Sequence, residues 1–252
     1  MRFRFFIKDI PFLKFIRGMP LFLLNYSKIR RQARGTDFVF PFDKIYPCLE
    51  DNRTSGSATG HYFHQDLLVA GKIYKNNPAR HVDIGSRVDG FVAHVASFRE
   101  VEVFDVRELA ANIPNIHFRR FDLTDNDFSL SDYCDSVSCL HAMEHFGLGR
   151  YGDRVDYNGH LQGWANIHKM LRSRGKLYFS VPIGRQRIEF NAHRVFSLSY
   201  LLKMIDGNYQ IDSFSYVDDE GDLLMDVRLE EEAVKKNFFC SYGCGIFELT
   251  KT

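Results

Sequence analysis

Three side chains that can bind protons or metals stand close together near the middle of the sequence. His141, Glu144 and His145 lie in the stretch "LHAMEHFG" and form the pattern H-x-x-E-H, which some zinc hydrolases carry. Such hydrolases need a long helix that brings both histidines to one face. Here an apolar run that predicts a buried strand comes directly before the pattern, and Gly147 and Gly149 limit any helix to about two turns. The sequence therefore favours chemistry at a strand end over a protease.

Three acidic residues close successive apolar runs. Asp83 lies in "HVDIG", Asp105 ends "VEVFD" and Asp122 ends "IHFRRFD". In a parallel sheet the carboxyl ends of the strands meet at one edge, where small ligands bind. Glycine in the first turn lets a ligand approach the backbone and its free N–H groups, and Gly85 occupies that place. A carboxylate at Asp105 can accept hydrogen bonds from both hydroxyls of a ribose, and Asp122 would lie near an adenine amino group.

Short apolar runs alternate with helical patterns from residue 59 onward, which predicts a doubly wound α/β fold with helices on both faces of the sheet. Seven strands are predicted, and the last four are "DSVSCL", "GKLYFSVP", "YQIDSFSYV" and "GIFELTK". Ser197 is predicted to cap a helix over "LSYLLKMI". The loop-like run "DNRTSGSATG" indicates a boundary between residues 1–58, a basic arm and linker, and a domain of residues 59–252.

Over residues 62–251 the chain resembles the class I S-adenosylmethionine-dependent methyltransferases. The matching pieces are "HVDIGS", "VFDVR", "RRFDLTD", "DSVSCLHAMEHFG", "LRSRGKLYFSVP" and "HRVFSLSYLLKMI", in the family's order. The resemblance implies a Rossmann-like, seven-stranded sheet whose last strand is antiparallel, with S-adenosylmethionine as the cofactor. Within that class the chain is similar to a domain-of-unknown-function family associated with surface-polysaccharide biosynthesis.

The resemblance also implies a set of cofactor-binding residues. They are Asp83, Gly85, Ser86, Arg87, Asp105, Val106, Asp122, Leu123, Leu140 and His141. Class members usually carry G-x-G-x-G in the first turn, whereas here Arg87 follows Gly85 and the next glycine is Gly90. We expect the Arg87 guanidinium to pair with the cofactor carboxylate. Two alternatives stay open: an NAD(P)-dependent oxidoreductase, because G-x-R-x-x-G followed by Asp105 is similar to a dinucleotide fingerprint, and a noncatalytic binding protein with the same fold.

The acceptor in a methyl transfer to oxygen needs a base whose pKa lies near neutrality. His145 is the first candidate and His193 the second, with Glu144 beside them. Tyr62 and Asp66, ahead of the first strand, are also placed to face the cofactor pocket. Some class members hold a divalent metal with E-x-x-E-H and a distant histidine. The corresponding metal ligands here are His141, Glu144, His145 and His193, and the alternative is that these side chains only satisfy backbone groups.

Two arginine-bearing loops are predicted to lie at the acceptor side, "GLGRYGDRVDYNG" and "PIGRQRIEFNAHR". The candidate substrate-binding residues are Arg150, Tyr151, Arg185, Arg187 and Arg194. Guanidinium groups suit phosphate or carboxylate, although arginines on solvated loops are common without a ligand. We therefore predict an S-adenosylmethionine-dependent O-methyltransferase that acts on a sugar, a nucleotide-sugar or a lipid-linked glycan precursor.

The formal net charge of +1 conceals a strongly basic start, because residues 1–34 hold nine Lys or Arg and one acid, Asp9. Charges alternate there with Phe, Leu and Ile, as in a helix that lies on an anionic membrane surface. The equal alternative is an arm packed on its own domain or on a partner subunit. Nucleic acid is not an expected partner, because the rest of the chain is acidic overall. Five cysteines without a paired framework predict a reduced, cytoplasmic protein, placed peripherally at the inner face of the membrane by its arm.

Overall fold

The computed structural model describes residues 12–35, 37, 38, 41, 44–49 and 55–252. The chain forms two compact units, Met1–Ser57 and Ala58–Thr252. Residues 1–11 of the predicted basic arm lie outside the described residues.

The first unit contains helix α1 (Phe12–Gln32), with Pro20 inside it and no acidic residue in its first turn. At Gly18 the helix packs closely on Leu49, since a Cβ there would come 2.7 Å from the Leu49 Cβ. Several aliphatic side chains of the helix are nevertheless about half exposed, namely Ile16, Leu21, Leu23, Leu24 and Ile29. In the part of the chain that the structure covers, no helix is both long and apolar enough to span a membrane.

The second unit is built on one large sheet. Its first five strands, which are parallel to one another, are β1 (His81–Ile84), β2 (Val101–Asp105), β3 (Ile116–Arg120), β4 (Cys134–Leu140) and β5 (Leu171–Ile183). A small hairpin of β6 (Arg187–Glu189) and β7 (His193–Val195) follows outside the sheet. The last strands are β8 (Tyr209–Val217), β9 (Leu223–Leu224) and β10 (Gly243–Lys251).

The strand order is β3-β2-β1-β4-β5-β10-β8-β9, and β10 runs antiparallel to both of its neighbours. All seven predicted strands are present, and β10 is the predicted antiparallel last strand. The sheet has eight strands rather than seven because β9, only two residues long, pairs with the end of β8. Such a short edge strand has no period in the sequence by which it could be recognised.

Helices cover both faces of the sheet. On one face α2 (His61–Asn76) and α3 (Ala93–Ala96) bury Val69, Ile73 and Val95 against the strands. On the other face lie α4 (Gly159–Met170), α5 (Leu198–Ile205) and α6 (Glu231–Lys235). The predicted cap of α5 is confirmed, because the Ser197 hydroxyl accepts a hydrogen bond from the Tyr200 N–H. The strands direct apolar side chains to both faces of the sheet, which gives the sheet a core on each side.

Candidate functional site

A large cleft opens at the carboxyl edge of the sheet. Its volume is about 1180 Å³, and the turns after β1, β2 and β4 line it together with the start of α2. The strand order reverses between β1 and β4, so the chain leaves these two neighbouring strands toward opposite faces. Such a switch point is the usual ligand site of a doubly wound sheet.

The buried side chain of Asp83 holds the turn after β1 through hydrogen bonds. This residue is fully buried, and its carboxylate accepts hydrogen bonds from the Ser86 N–H at 3.1 Å, the Ser86 hydroxyl at 2.8 Å and the Ser138 hydroxyl at 2.6 Å. Asp83 is absent from the cleft wall, which corrects its predicted direct contact with the cofactor. Its position in the strand points the side chain under the turn, where it holds Ser86 in place.

Gly85 makes this turn possible. Its φ is +72°, a conformation that L side chains avoid, and a Cβ there would lie 3.0 Å from the Ala142 Cβ. Gly85, Ser86 and Arg87, which the sequence predicts to bind the cofactor, all line the cleft. The Arg87 guanidinium forms a two-bond ion pair with Asp89 at 2.7 Å, and both side chains are 71% exposed. The arginine therefore lies at the rim and leaves the space above Gly85 open.

Two buried carboxyl groups hold protons more tightly than usual. Burial raises the pKa of Asp83 to about 7, against the opposing effect of hydrogen bonds from Ser138 and Ser86. Burial likewise raises the pKa of Asp66, although Gln65 donates to its carboxylate at 3.1 Å. Asp66 lines the cleft, as the sequence predicted, and within the described residues it has no ion-pair partner. A cation entering the cleft would find this carboxylate uncompensated.

Asp105 lies at the end of β2 and is held by Arg107. The Arg107 Nε donates to Asp105 Oδ1 at 2.9 Å and its Nη2 donates to Oδ2 at 2.5 Å. Oδ1 also accepts from the Arg107 backbone N–H at 2.8 Å. Because each carboxylate oxygen has two acceptor positions, Oδ1 is fully occupied and one position on Oδ2 remains for a ribose hydroxyl. Arg107 is not among the residues predicted from the sequence, although its place two residues after Asp105 in "VFDVR" was a usable signal. Val106, between them, lines the cleft as predicted.

At the third acidic strand end, Asp122 lies at the cleft and the next residue, Leu123, lies in the core. Asp122 lines the cleft, and its Oδ1 accepts hydrogen bonds from the Thr124 N–H at 2.8 Å and hydroxyl at 2.7 Å. Leu123 instead belongs to the apolar core and is 3% exposed, which corrects its prediction as a cofactor-binding residue. Its carbonyl accepts from the Asn166 side chain at 2.8 Å, so this residue anchors the loop to α4. Leu140, at the end of β4, does line the cleft.

His141 and Glu144 form a buried pair directly after β4. The distance from His141 Nδ1 to Glu144 Oε1 is 2.7 Å, and His141 has the strained φ of +48°. Burial opposes both charged forms, but the proximity of Cys244 and Glu144 raises the pKa of His141 while His141 lowers the pKa of Glu144. Among the residues that the structure describes, neither His141 Nε2 nor Glu144 Oε2 has a hydrogen-bond partner. Only His141 of the pair lines the cleft.

His145 presents one ring nitrogen as a base. Its Nδ1 lies 2.7 Å from the Ala192 carbonyl oxygen, which can only accept, so the proton of the neutral ring sits on Nδ1 and Nε2 keeps its lone pair. Burial lowers the pKa of His145, against the opposing effect of the Glu144 carboxylate. The residue therefore stays neutral at pH 7, and it lines the cleft.

Tyr151 and Arg150 form the acceptor-side wall. The Tyr151 ring centroid lies 4.7 Å from the Arg107 guanidinium and 5.1 Å from that of Arg150, and the ring packs perpendicular to His145. Arg150 donates to the Ala192 carbonyl at 2.9 Å. Both predicted substrate-binding residues in this loop thus line the cleft beside the candidate base.

The other three predicted arginines lie away from the cleft. Arg194 is 4% exposed, and its guanidinium donates to the carbonyls of Phe146 at 2.6 Å and Tyr157 at 3.1 Å. Arg187 pairs with Glu189 at 2.7 Å across the β6 strand, and Arg185 is exposed beside it. The contacts of Arg194 correct its predicted substrate role, because its guanidinium is bound to the protein's own backbone. Arg185 and Arg187 are absent from the cleft wall, and their substrate role stays a prediction.

The four predicted metal ligands do not converge. His141 is bound to Glu144, His145 to Ala192, and His193 Nε2 lies 3.2 Å from Glu189 Oε2 without hydrogen-bond alignment. His193 is also absent from the cleft wall, although its ring centroid lies 6.4 Å from that of His145, and its catalytic role stays a prediction. Within the described residues a different group comes together: one ligand atom each from His61, His141 and Cys244, all within 4.8 Å of one another.

A family model matches residues 94–240, more than half of the chain, and its description is "Caenorhabditis protein of unknown function, DUF268". The chain belongs to this family. No curated protein matches the DUF268 chain. The description of the family gives no link to polysaccharides, so the predicted glycan acceptor depends on the sequence resemblance alone.

Solved structures similar to the DUF268 chain include several methyltransferases. One is 1,6-didemethyltoxoflavin-N1-methyltransferase from Burkholderia thailandensis, solved with S-adenosylhomocysteine (13% identity, TM-score 0.53, 93% of this chain and 88% of that one). Another is the N-methyltransferase NodS from Bradyrhizobium japonicum WM9 (11% identity, TM-score 0.50, 75% and 97%). A similar structure that is not described as a methyltransferase is the [4+2]-cyclase SpnF (12% identity, TM-score 0.53, 75% of this chain and 80% of that one). The DUF268 chain therefore has the Rossmann-like methyltransferase fold, a fold that also serves a cyclase.

Proposed function

We propose that this protein is an S-adenosylmethionine-dependent O-methyltransferase whose acceptor is a sugar, a nucleotide-sugar or a lipid-linked glycan precursor. The observation that carries the proposal is the cleft at the switch point of a methyltransferase-type sheet, with Asp105 and Asp122 at successive strand ends and Gly85 in the first turn. This arrangement supports nucleoside binding with the adenosine across the carboxyl edge of the strands.

The residues present fit this cofactor in charge as well as in shape. Among the described residues six acids line the cleft, Asp66, Asp89, Asp105, Glu108, Asp122 and Asp153, against three arginines, Arg87, Arg107 and Arg150, and His141, whose pKa is raised. A surplus of carboxylates favours a ligand that carries a sulfonium and an ammonium group. We assign Asp105 to a ribose hydroxyl, Asp122 to the adenine side, and Asp66 to the ammonium group. When bound, the cofactor would supply an activated methyl group.

His145 is the base in this proposal. The Ala192 carbonyl fixes Nδ1–H, and Nε2, which lies 3.8 Å from Glu144 Oε1, keeps its lone pair, so the ring can take one proton from an acceptor hydroxyl. Tyr151 and Arg150 lie next to it and would orient a polar acceptor. Aligning the acceptor with the methyl group supplies most of the acceleration, because the leaving group is already activated.

Calorimetry with S-adenosylmethionine, S-adenosylhomocysteine and NAD tests the proposal. Asp105→Asn should weaken binding of both adenosyl compounds at least about tenfold, because a carboxylate hydrogen bond to a ligand hydroxyl is worth roughly 1.5–3 kcal/mol. Glu100→Gln is the matched control, since Glu100 is exposed just before β2 at the opposite end of the strand. Binding of NAD alone would indicate an oxidoreductase, and binding of none of the three would favour a noncatalytic protein.

We also propose that α1 attaches the protein to an anionic membrane surface. The helix exposes five aliphatic side chains and carries basic residues without an acid between Phe12 and Gln32. Apolar burial together with attraction to anionic headgroups is the combination that holds such a helix at a bilayer surface. A lipid-linked acceptor would then be presented at the same surface.

A further inference from the structure

We propose that His61, His141 and Cys244 form a binding site for a transition-metal ion, with zinc as the best-fitting member of that class. The site differs from the metal site predicted from the sequence, because it uses His61 and Cys244 and leaves His145 and His193 out. It does not depend on the methyltransferase proposal.

Three separate elements bring the ligands together. His61 is the first residue of α2, His141 follows the end of β4, and Cys244 lies near the start of β10. Because β10 is antiparallel, its start lies at the same sheet edge as the end of β5, where Cys244 is opposite Pro182. The imidazole rings of His61 and His141 face each other with centroids 5.2 Å apart and planes 7° apart. The fold, rather than local sequence, thus makes this cluster.

His141 is oriented as metal-binding histidines usually are. Its Nδ1 is 2.7 Å from the Glu144 carboxylate, and its buried Nε2 has no hydrogen-bond partner in the described part of the chain. A histidine that ligates a metal almost always gives its other nitrogen to a carboxylate or carbonyl, which fixes the ring. A buried polar atom without a partner costs roughly 1–3 kcal/mol, and a metal ion on Nε2 would remove that cost. Glu144 is therefore a positioning residue for the site.

The chemistry of the donors selects the metal. Two imidazoles and a thiolate suit zinc or a similar transition metal and exclude magnesium and calcium, which prefer oxygen. Zinc lies about 2.0–2.1 Å from nitrogen and 2.3 Å from sulfur, so ligand atoms in a tetrahedral site are roughly 3.3–3.7 Å apart. The three atoms here are within 4.8 Å of one another, and a shift of about 1 Å would close the site. Three protein ligands leave a fourth position, and His141 borders the cleft from which it would be reached.

Metal titration of the purified full chain tests the site. We expect one equivalent of zinc to remain after dialysis, and cobalt to give a thiolate-to-cobalt charge-transfer band. His61→Ala and Cys244→Ser should each abolish that band or lower zinc affinity more than Glu144→Gln, for which a loss of roughly 10- to 100-fold is expected. His61 is partly exposed, so its variant keeps the test valid even if Cys244→Ser fails to fold.

Matched controls separate the site from general damage. His64→Ala lies one turn further along α2, and Cys240→Ser replaces another buried cysteine four residues before Cys244. Both controls should keep the band and the full zinc content, as should Asp105→Asn. The proposal fails if the wild-type chain retains less than about a tenth of an equivalent after zinc addition, or if the controls lose as much metal as His61→Ala and Cys244→Ser do.

Discussion

Asp83 makes the stability of the fold depend on pH. Burial raises its pKa from 3.8 to about 7, so between these values the folded chain holds a proton that the unfolded chain has lost. Stability should therefore fall as pH rises through this interval, by roughly 1.4 kcal/mol for each pH step of one and a few kcal/mol in total. We expect Asp83→Asn to flatten the dependence, measured by urea unfolding at pH 5 and pH 8.

The variant should also be less stable at low pH, because an amide NH2 group cannot accept the hydrogen bond that Asp83 Oδ2 accepts from the Ser86 N–H. Asp125→Asn, an exposed change outside the cleft wall, is the control and should keep the wild-type slope. An unchanged slope in Asp83→Asn would mean that the carboxyl titrates normally in the folded chain.

His145 should control the pH dependence of methyl transfer. Burial lowers its pKa below the ordinary value of 6.5, so kcat/KM should decline only on the acid side of that value. His145→Gln should reduce the rate about 100- to 10,000-fold, the usual contribution of a positioned base. Transfer of labelled methyl groups to a panel of nucleotide sugars measures both effects. Equal loss of rate in His117→Gln, an exposed histidine of β3, would argue against the assignment.

The sequence predicts the position of a site residue well when that position depends on nearby residues, and poorly when it depends on distant parts of the chain. Gly85, Asp105, Asp122 and His145 line the cleft because each follows a strand end, and strand ends are visible as apolar runs. Arg194 could not be placed in this way, since its burial depends on a hairpin that turns it toward the carbonyls of a distant loop. The nearness of His61 and Cys244 is likewise a property of strand order, which no spacing along the chain reveals.

At the level of elements, the turn between β1 and α3 requires glycine at its first position. Gly85→Ala should destabilise the protein by about 1–2 kcal/mol, because a positive φ costs an L residue that much, and its methyl group would press on Ala142. Gly71→Ala is the matched control: it lies in α2 with no heavy atom within 4 Å of the added Cβ. That change should be neutral or stabilising by up to about 1 kcal/mol. Chemical denaturation of both variants decides, and equal effects would contradict the prediction.

The hairpin of β6 and β7 is held to the loop after β4 by Arg194. Arg194→Met should cost about 1–3 kcal/mol in the free energy of unfolding, since the carbonyls of Phe146 and Tyr157 would lose a buried donor. Arg185→Met, an exposed change two residues before β6, should have little effect on stability. Thermal unfolding measures the difference. If Arg194→Met leaves stability unchanged but impairs acceptor binding, Arg194 would be a substrate-binding residue after all.

The seven long strands and the helices on both faces could be predicted because their apolar periodicity is strong. The hairpin of β6 and β7 and the edge strand β9 could not, because runs of two or three residues contain no measurable period. In the stretch "LHAMEHFG" the sequence limits any helix to about two turns but does not predict its form. Met143–His145 is a single 3₁₀ turn, and His141 lies before it with a positive φ.

For the whole molecule, the two compact units predict that cofactor binding and membrane attachment belong to different parts of the chain. The unit Ala58–Thr252 contains the cleft and both apolar cores, so deleting residues 1–57 should leave cofactor binding unchanged in calorimetry. The same deletion should abolish sedimentation with vesicles that contain anionic lipid, while neutral vesicles should bind neither form. Sedimentation of the shortened chain with anionic vesicles would place the membrane contact elsewhere.

The position of β10 affects how the protein is made. This strand is the last of those described, yet it lies between β5 and β8 and is the strand that joins them. While a ribosome is still adding it, the growing chain must expose two open strand edges that invite mispairing. We therefore expect synthesis to depend on chaperones until the final strand inserts, and a fragment limited to residues 94–240 to remain insoluble, since it lacks both β1 and β10.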